Sequence, residues 1–216
     1  MNQTPIVIIG ARSVGLKVLA VLQDLPEYRV VGFLDEVPFP DNEWEGVPVW
    51  PLSKARDLSD GATAAACAIG DPVVRKRIWG LLESYGWPEQ PSLIHPSADF
   101  NSAELPIGAV VCQNCVVQPM AILGDYSTMN VGAVLGPGAI VEDYVTVNGQ
   151  TFICANSLVR SFSYIGVGAK ILQGLEVAEG VTVGAGAVVT KDILESWTTW
   201  AGVPARKIGE KENPFG

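Results

Sequence analysis

Aliphatic side chains recur through the second half of the chain at a spacing of six. From Leu105 the series runs Val111, Val117, Leu123, Met129, Leu135, Val141, Val147, Ile153, Val159, Ile165, Ile171, Val177, Val183 and Val189, fifteen positions without a break. Chance produces such a run roughly once in a million at this composition, so the period reports structure. Two residues ahead of most members stands a smaller one: Ala109, Cys115, Ala121, Ser127, Ala133, Ala139, Thr151, Ser157, Ser163, Ala169 and Ala187. One large and one small inward side chain every six residues suits a triangular coil of three short parallel strands. No coil buries its own interior; stacking does. Glycine follows the aliphatic at Gly124, Gly136, Gly166 and Gly184, where a tight corner would need it.

The front of the chain has a different pattern. Residues 5–10 read as a buried parallel strand running into a turn, and Ser13 is placed to cap a helix reaching about residue 24. Val14, Val18, Val21 and Leu22 form its inward stripe. Residues 28–35 read as a second strand ending in an acid, Asp35. Strand, turn, helix, strand and acid make a unit of the nucleotide-binding, Rossmann-like kind. Its turn, Gly10-Ala11-Arg12-Ser13-Val14-Gly15, lacks the middle glycine of a dinucleotide fingerprint, so NAD is not expected. The amides at the helix start can still hold an anion. Residues 62–69 read as a strand and 72–85 as a helix capped by Asp71, with Pro72 first. Residues 38–54, rich in Pro and Trp, read as loop. The chain divides into an α/β domain at 1–92 and a β-helix at 93–216.

Composition narrows the function. A net charge of −9 is a poor match for nucleic acid or an anionic membrane surface. No apolar run reaches membrane-spanning length, and the first residues lack the basic flank of a signal peptide, so a cytoplasmic location is expected. Cys67, Cys112, Cys115 and Cys154 are then free thiols. Cys112 and Cys115 have no second pair to complete a metal site, and no metal is expected.

Several stretches together resemble the sialic-acid and bacillosamine acyltransferase family of sugar O/N-acyltransferases. They are Ile8-Ile9-Gly10-Ala11, Gly32-Phe33-Leu34-Asp35, Ala68-Ile69-Gly70-Asp71 with Arg75, His95-Pro96-Ser97-Ala98, residues 183–192, and Gly202-Val203-Pro204-Ala205-Arg206. The resemblance implies a left-handed parallel β-helix, a homotrimer with sites between subunits, and acetyl-CoA (or another acyl-CoA) as co-substrate. It implies a nucleotide-linked amino sugar held near Gly10, Arg12, Ser13, Asp35 and Gly70. It implies coenzyme contacts at Ala155, Gln173, Lys191, Gly202, Pro204, Ala205 and Arg206. Lys191, Arg206 and Lys207 would meet the coenzyme's phosphates.

One departure carries chemical weight. Family members place histidine and an acid where this chain has Pro137 and Gly138, and a second family histidine position holds Thr146. Neither Pro137 nor Gly138 can take a proton. Asn130, Glu142 and Asn148 are the remaining candidates for catalysis, with turn capping as their ordinary role. His95, the only histidine, belongs to the chain reversal into the first coil. Losing a general base costs about 10²–10⁴ in rate for a hydroxyl acceptor. An amine needs less help, because its free base attacks a thioester unaided. Two functions follow as expectations: an acyl-CoA-dependent N-acyltransferase of surface-polysaccharide or glycan synthesis, or an inactive family member kept as a trimeric binding or scaffold protein. Trp197 and Trp200 are expected to close the open end of the coil.

Overall fold

The computed structural model describes residues 3–37, 41–44, 46–59, 63–88 and 90–216. In the front domain β1 (Thr4–Ile9) pairs in parallel with β2 (Tyr28–Asp35), and helix α1 (Ser13–Gln23) connects them. β3 (Glu43–Trp44) and β4 (Val47–Pro51) follow, then a 3-10 turn (Leu52–Lys54), α2 (Ala55–Leu58), β5 (Ala64–Cys67) and α3 (Pro72–Ser84). The sheet order is β3-β4-β2-β1-β5. The loop expected over 38–54 is therefore wrong in part: β4 extends the sheet beside β2, its Val49 buried. Proline and tryptophan obscured that strand, whose far side is covered only by the two residues of β3. Residues 38–40 and 45 lie outside the described residues, as does Ala62 at the start of the expected strand.

Two helix starts differ. Asp71 Oδ1 accepts from the amides of Val73 and Val74, with Pro72 in the first turn, as the spacing predicts. At α1 the cap position is Arg12, and Ser13 is already helical with no side-chain cap bond. Gly15 explains the close turn: a Cβ there would fall 2.3 Å from the Gly10 carbonyl oxygen.

From Leu93 onward the chain winds into a three-sided parallel β-helix. The first face stacks Leu93–Ile94, Val110–Val111, Thr128–Met129, Thr146–Val147, Tyr164–Ile165 and Thr182–Val183. The second stacks Asp99–Phe100, Val116–Val117, Val134–Leu135, Phe152–Ile153, Lys170–Ile171 and Val188–Val189, and the third Ile122–Leu123, Ile140–Val141, Leu158–Val159 and Glu176–Val177. From Val110 to Val189 residues eighteen apart pair, as in Thr128↔Thr146↔Tyr164, while the first pairs of the coil, Leu93↔Val110 and Asp99↔Val116, are one residue shorter. Every member of the six-residue series from Val111 to Val189 is buried, and so is every small partner ahead of it. Leu105 is the exception at 73% exposed, because residues 102–107 bulge out before the first full coil closes.

The corner glycines act by closeness. A Cβ on Gly136 would meet the Ala155 amide nitrogen of the next coil at 2.7 Å, and left-handed backbone falls elsewhere, as at Gly138 (φ +66). Trp200 packs over the core at the open end, whereas Trp197 does not join it there. Trp197 stands at the corner between the third and first faces, in a ladder with Tyr126, Tyr144 and Phe162.

Arg75 fixes the two domains together. Its guanidinium, 1% exposed, donates to the carbonyls of Ile69 (2.7 Å), Tyr126 (2.8 Å) and Val145 (3.3 Å) and to Thr146 Oγ1 (3.1 Å). Burial pulls its pKa down to about 10, which leaves it charged at neutral pH. Gln90 bridges as well, accepting from the Cys67 amide and donating to the Gly108 carbonyl. His95 Nε2 lies 2.8 Å from Asp24 at the end of α1, while its Nδ1 accepts from the Ser97 amide. Among the described residues no helix is long and apolar enough to cross a membrane.

Replacing Arg75 by Ala strands three carbonyls and opens a hole, and is expected to cost about 3–5 kcal/mol in urea unfolding. Arg75→Lys, which keeps the charge without the fork, should fall between. Burial pushes the Cys67 and Cys115 thiols up to about 12 and Cys112 up to about 11. At pH 8 a pKa near 11 leaves roughly one thiolate in a thousand. Native protein titrated with a thiol reagent at that pH should therefore release one equivalent promptly, from half-buried Cys154, and the remainder only after denaturation.

Candidate active site

The turn after β1 builds the first hollow. Gly10 takes φ +102, and a Cβ there would lie 2.8 Å from the Ala68 carbonyl oxygen, so only glycine lets the turn settle against the segment after β5. Asp35, at the end of β2, accepts from the Ala11 amide through Oδ2 and from the Val37 amide through Oδ1, each 2.8 Å. The acid thus fixes the turn beneath a hollow of about 260 Å³. Ile9, Leu34, Ile69 and Ile78 give it apolar walls; Gly10, Arg12, Asp35, Glu36 and Gly70 give it a polar rim. Arg77 ion-pairs with Glu36 at 3.2 Å beside it, an exposed contact worth little by itself.

A second hollow of about 180 Å³ lies between α1 and the first face of the β-helix. Ser13, Lys17 and Val18 line it from α1, Cys67 and Gly70 from beyond β1, and Cys112, Thr128, Asn130, Thr146, Asn148 and Tyr164 from the coil. Val14 and Gly70 are walls of both hollows, so the two adjoin across that pair. Gly70 leaves the pass open: a Cβ there would touch Val14 Cγ2 at 3.5 Å.

The second hollow holds a directed hydrogen-bond chain. Lys17 Nζ donates to Asn130 Oδ1 (3.3 Å), Asn130 Nδ2 to Asn148 Oδ1 (3.2 Å), and Asn148 Nδ2 to the Ile165 carbonyl (2.9 Å). Asn130 and Asn148 sit one coil apart at the corner between the first and second faces. Thr146 stands beside them, donating to the Gly70 carbonyl at 2.7 Å while Arg75 donates to it. That hydroxyl is a joint between domains.

Glu142 is not brought into this group. It lies at the corner between the third and first faces, where Arg160 holds it at 3.0 Å and Ser161 donates to its other oxygen. Arg160 binds Glu176 as well, so the carboxylate is one rung of an ion-pair brace. Its selection from the sequence followed spacing along the chain; the coil turns it to another edge.

Pro137, Ala155, Gln173 and Lys191 form a single column at the corner between the second and third faces, one coil apart each. At ~4.8 Å per coil it runs roughly 14 Å. Pro137, Gln173 and Lys191 are exposed, and Lys191 Nζ lies 5.8 Å from the Trp200 ring centre. The turn with Gly202, Pro204, Ala205 and Arg206 caps the second face: the Gly202 carbonyl accepts from Val188, and the Ala205 amide donates to the Val188 carbonyl. Arg206 is exposed there, but Lys207 is already paired with Glu195 and Glu210, which removes it from the expected basic cluster. Cys112 points out of the prism yet is buried, because α1 covers it. Among the described residues no group of three or more His, Cys, Asp or Glu is placed to hold a metal ion.

Lys17, Thr128 and Tyr164 were missed by sequence reasoning. Lys17 stands one turn beyond Ser13 on the same helix face, which was a usable signal. What that face meets depends on how the domains dock, and no local pattern states it.

Residues 5–81 match the family described as the PglD N-terminal domain. Among solved structures, the acetyltransferase domain of PglB from Neisseria gonorrhoeae in complex with acetyl coenzyme A is 27% identical, with a TM-score of 0.86, and the match covers 96% of this chain and 100% of that one. A histidine-to-asparagine mutant of perosamine N-acetyltransferase from Caulobacter crescentus, in complex with CoA and GDP-perosamine, is 25% identical with a TM-score of 0.85, covering 95% and 97%. Serine acetyltransferase of Escherichia coli is 46% identical over 55 residues, 26% of this chain; the match spans about a fifth of that relative's length, 20%. The front domain matches the PglD N-terminal domain model, and the chain as a whole shares its two-part fold with the acetyltransferase domain of PglB.

Proposed function

We propose that the protein is an acyl-CoA-dependent N-acyltransferase that moves an acetyl group onto the amine of a nucleotide-linked amino sugar, in the synthesis of a surface polysaccharide or other glycan. One observation carries this reading most of the way: two hollows of unlike chemistry adjoin across Val14 and Gly70, in a chain that matches the acetyl-coenzyme-A-bound PglB domain from end to end. The first hollow, with flat aliphatic walls and a rim of Arg12 and Asp35, suits a nucleotide. The second, with its amides and hydroxyls, suits the sugar. A nucleotide seated in the first carries its sugar over Gly70 into the second.

The donor belongs to the column of Pro137, Ala155, Gln173 and Lys191. Its length suits an extended pantetheine arm, and Lys191 and Arg206 stand at the end where phosphates would lie. In our reading a homotrimer sets this column of one copy against the sugar hollow of the next. Support comes from the second face and its edges, where Val131 (46%), Phe152 (38%), Val167 (56%) and Leu172 (42%) expose apolar surface of the kind a second copy covers.

Pro137 and Gly138 stand, in this reading, where relatives carry the histidine and its acid. Gly138 takes φ +66 there, a left-handed conformation that Met120 and Asn156 hold at the same corner one coil before and after. With no proton acceptor at the spot, an amine is favoured over a hydroxyl acceptor.

Purified protein given acetyl-CoA and a panel of UDP-, GDP- and dTDP-linked amino sugars should release free CoA with at least one of them. Silence across the panel, with no tight binding of acetyl-CoA in calorimetry, would leave the binding or scaffold role instead. Gly70→Val fills the pass between the hollows. Its kcat/KM for the nucleotide sugar should drop about tenfold or more, with the Kd for acetyl-CoA unmoved.

A further inference from the structure

Among the described residues the second hollow has one charged side chain on its wall. Lys17 reaches it from α1, and no carboxylate is among its lining residues. The other titratable groups facing it are the Cys67 thiol from β5 and the Cys112 thiol and Tyr164 hydroxyl from the coil. Burial keeps both thiols protonated and neutral, with pKa values of about 12 and about 11. Arg12 lines the adjoining hollow, and Asp24, at the far end of α1, is held by His95. The Lys17 ammonium therefore has no counter-ion among the described lining residues, and the buried Arg75 guanidinium of α3, donating to Thr146 from behind the wall, adds a second positive charge to the field. The position of the ammonium is fixed by the hydrogen-bond chain through Asn130 and Asn148 to the Ile165 carbonyl.

An amino sugar brought into such a space meets a like charge. A nearby cation disfavours protonation of an amine, and a depressed pKa enlarges the fraction that is nucleophilic. We propose that Lys17 takes over part of the work of the missing base: its ammonium holds the acceptor's amine unprotonated, so that the amine enters the reaction already as the nucleophile. The nitrogen lone pair attacks the thioester carbonyl. The C–N bond forms, the C–S bond breaks, and the proton shed by nitrogen ends on the departing thiolate sulfur. No side chain has to accept a proton before the attack. The same charge disfavours a bound cation, so the hollow selects neutral amine from solution and excludes its ammonium form.

This rests on the proposed function, and a single experiment separates the two. The pH dependence of kcat is measured for the wild type, Lys17→Met and Lys17→Arg, with saturating acetyl-CoA and GDP-perosamine or whichever UDP- or dTDP-linked amino sugar releases most CoA. The acid limb of kcat reports protonation within the bound complex. In Lys17→Met that limb should move up by about one pH unit, lowering kcat about tenfold at pH 7 while the rates converge above pH 9. Lys17→Arg should keep the wild-type limb. A uniform loss in Lys17→Met at every pH would make Lys17 a structural support of Asn130 and overturn the proposal. An unmoved limb would do the same, and so would one moved downward. Lys17 is exposed on its helix, so both variants retain the fold, which a thermal melt checks. If the wild type releases no CoA with any sugar, the parent reading fails and this one with it.

Discussion

Each coil of the β-helix depends on the coils above and below it. Its interior holds only the few inward side chains of three short strands, and its strand amides find carbonyls on the neighbouring coil. That dependence forces a register: residue k must lie over residue k + 18, as Thr128, Thr146 and Tyr164 do. Once the register holds inside, it holds outside as well. Corner residues far apart in sequence become columns, and the columns are the raw material of the site. Asn130 and Asn148 are neighbours for this reason, as are Pro137, Ala155, Gln173 and Lys191. A single inserted residue would break every column beyond it, along with the core.

The corner between the third and first faces shows how register offsets a local cost. Tyr126, Tyr144, Phe162 and Trp197 all hold left-handed backbone, with φ between 55 and 60°. That conformation costs roughly 1–2 kcal/mol for a residue with a Cβ. Because the coil repeats, their rings stack: Tyr126 on Tyr144 at 5.0 Å and Tyr144 on Phe162 at 5.6 Å. Aromatic pairs contribute about 0.5–1.5 kcal/mol beyond their burial, an amount of the same order. The ladder also serves docking, since Trp79 of α3 continues it at 5.6 Å from Tyr126. The Tyr126 carbonyl meanwhile accepts from Arg75. The front domain is thus held at the coil by an aromatic stack and a buried guanidinium on the same few residues.

The coil was legible because its constraint is periodic, and a period survives in sequence without knowledge of anything distant. The Asp71 cap and the α1 stripe were legible for the related reason that they act within one or two turns. What stayed hidden was set by meetings between parts. Leu105 satisfies the period yet lies outside, since nothing local says where the first coil closes. Glu142 stood with the asparagines as a candidate for catalysis, and one side of the triangle separates it from them. Thr146 read as a lost histidine and proved to be a hinge hydroxyl shared between Arg75 and Gly70. Lys17 was an ordinary polar position on a helix until α1 was laid across the first face.

Thr146 and Lys17 together suggest why the hollow is arranged without a base. Position 146 completes the coordination of a buried cation whose acceptors are otherwise backbone carbonyls, and losing that hydroxyl would leave the guanidinium short of an acceptor. An imidazole there would have to serve both the joint and the chemistry, and protonation of the ring would set two cations against each other within the joint. A hydroxyl serves the joint at every pH. In the proposed reading the work of making the acceptor reactive falls instead to a nearby positive charge. A charge lowers the amine's proton affinity before the reaction begins, whereas a base removes the proton while it proceeds. The first route serves an amine, whose pKa lies within reach of a neighbouring cation. A sugar hydroxyl lies too many units above neutrality for the same field to ionise it. In the proposed reading, a hollow whose described lining holds one ammonium, two amides and no carboxylate is matched to a nitrogen nucleophile rather than a hydroxyl.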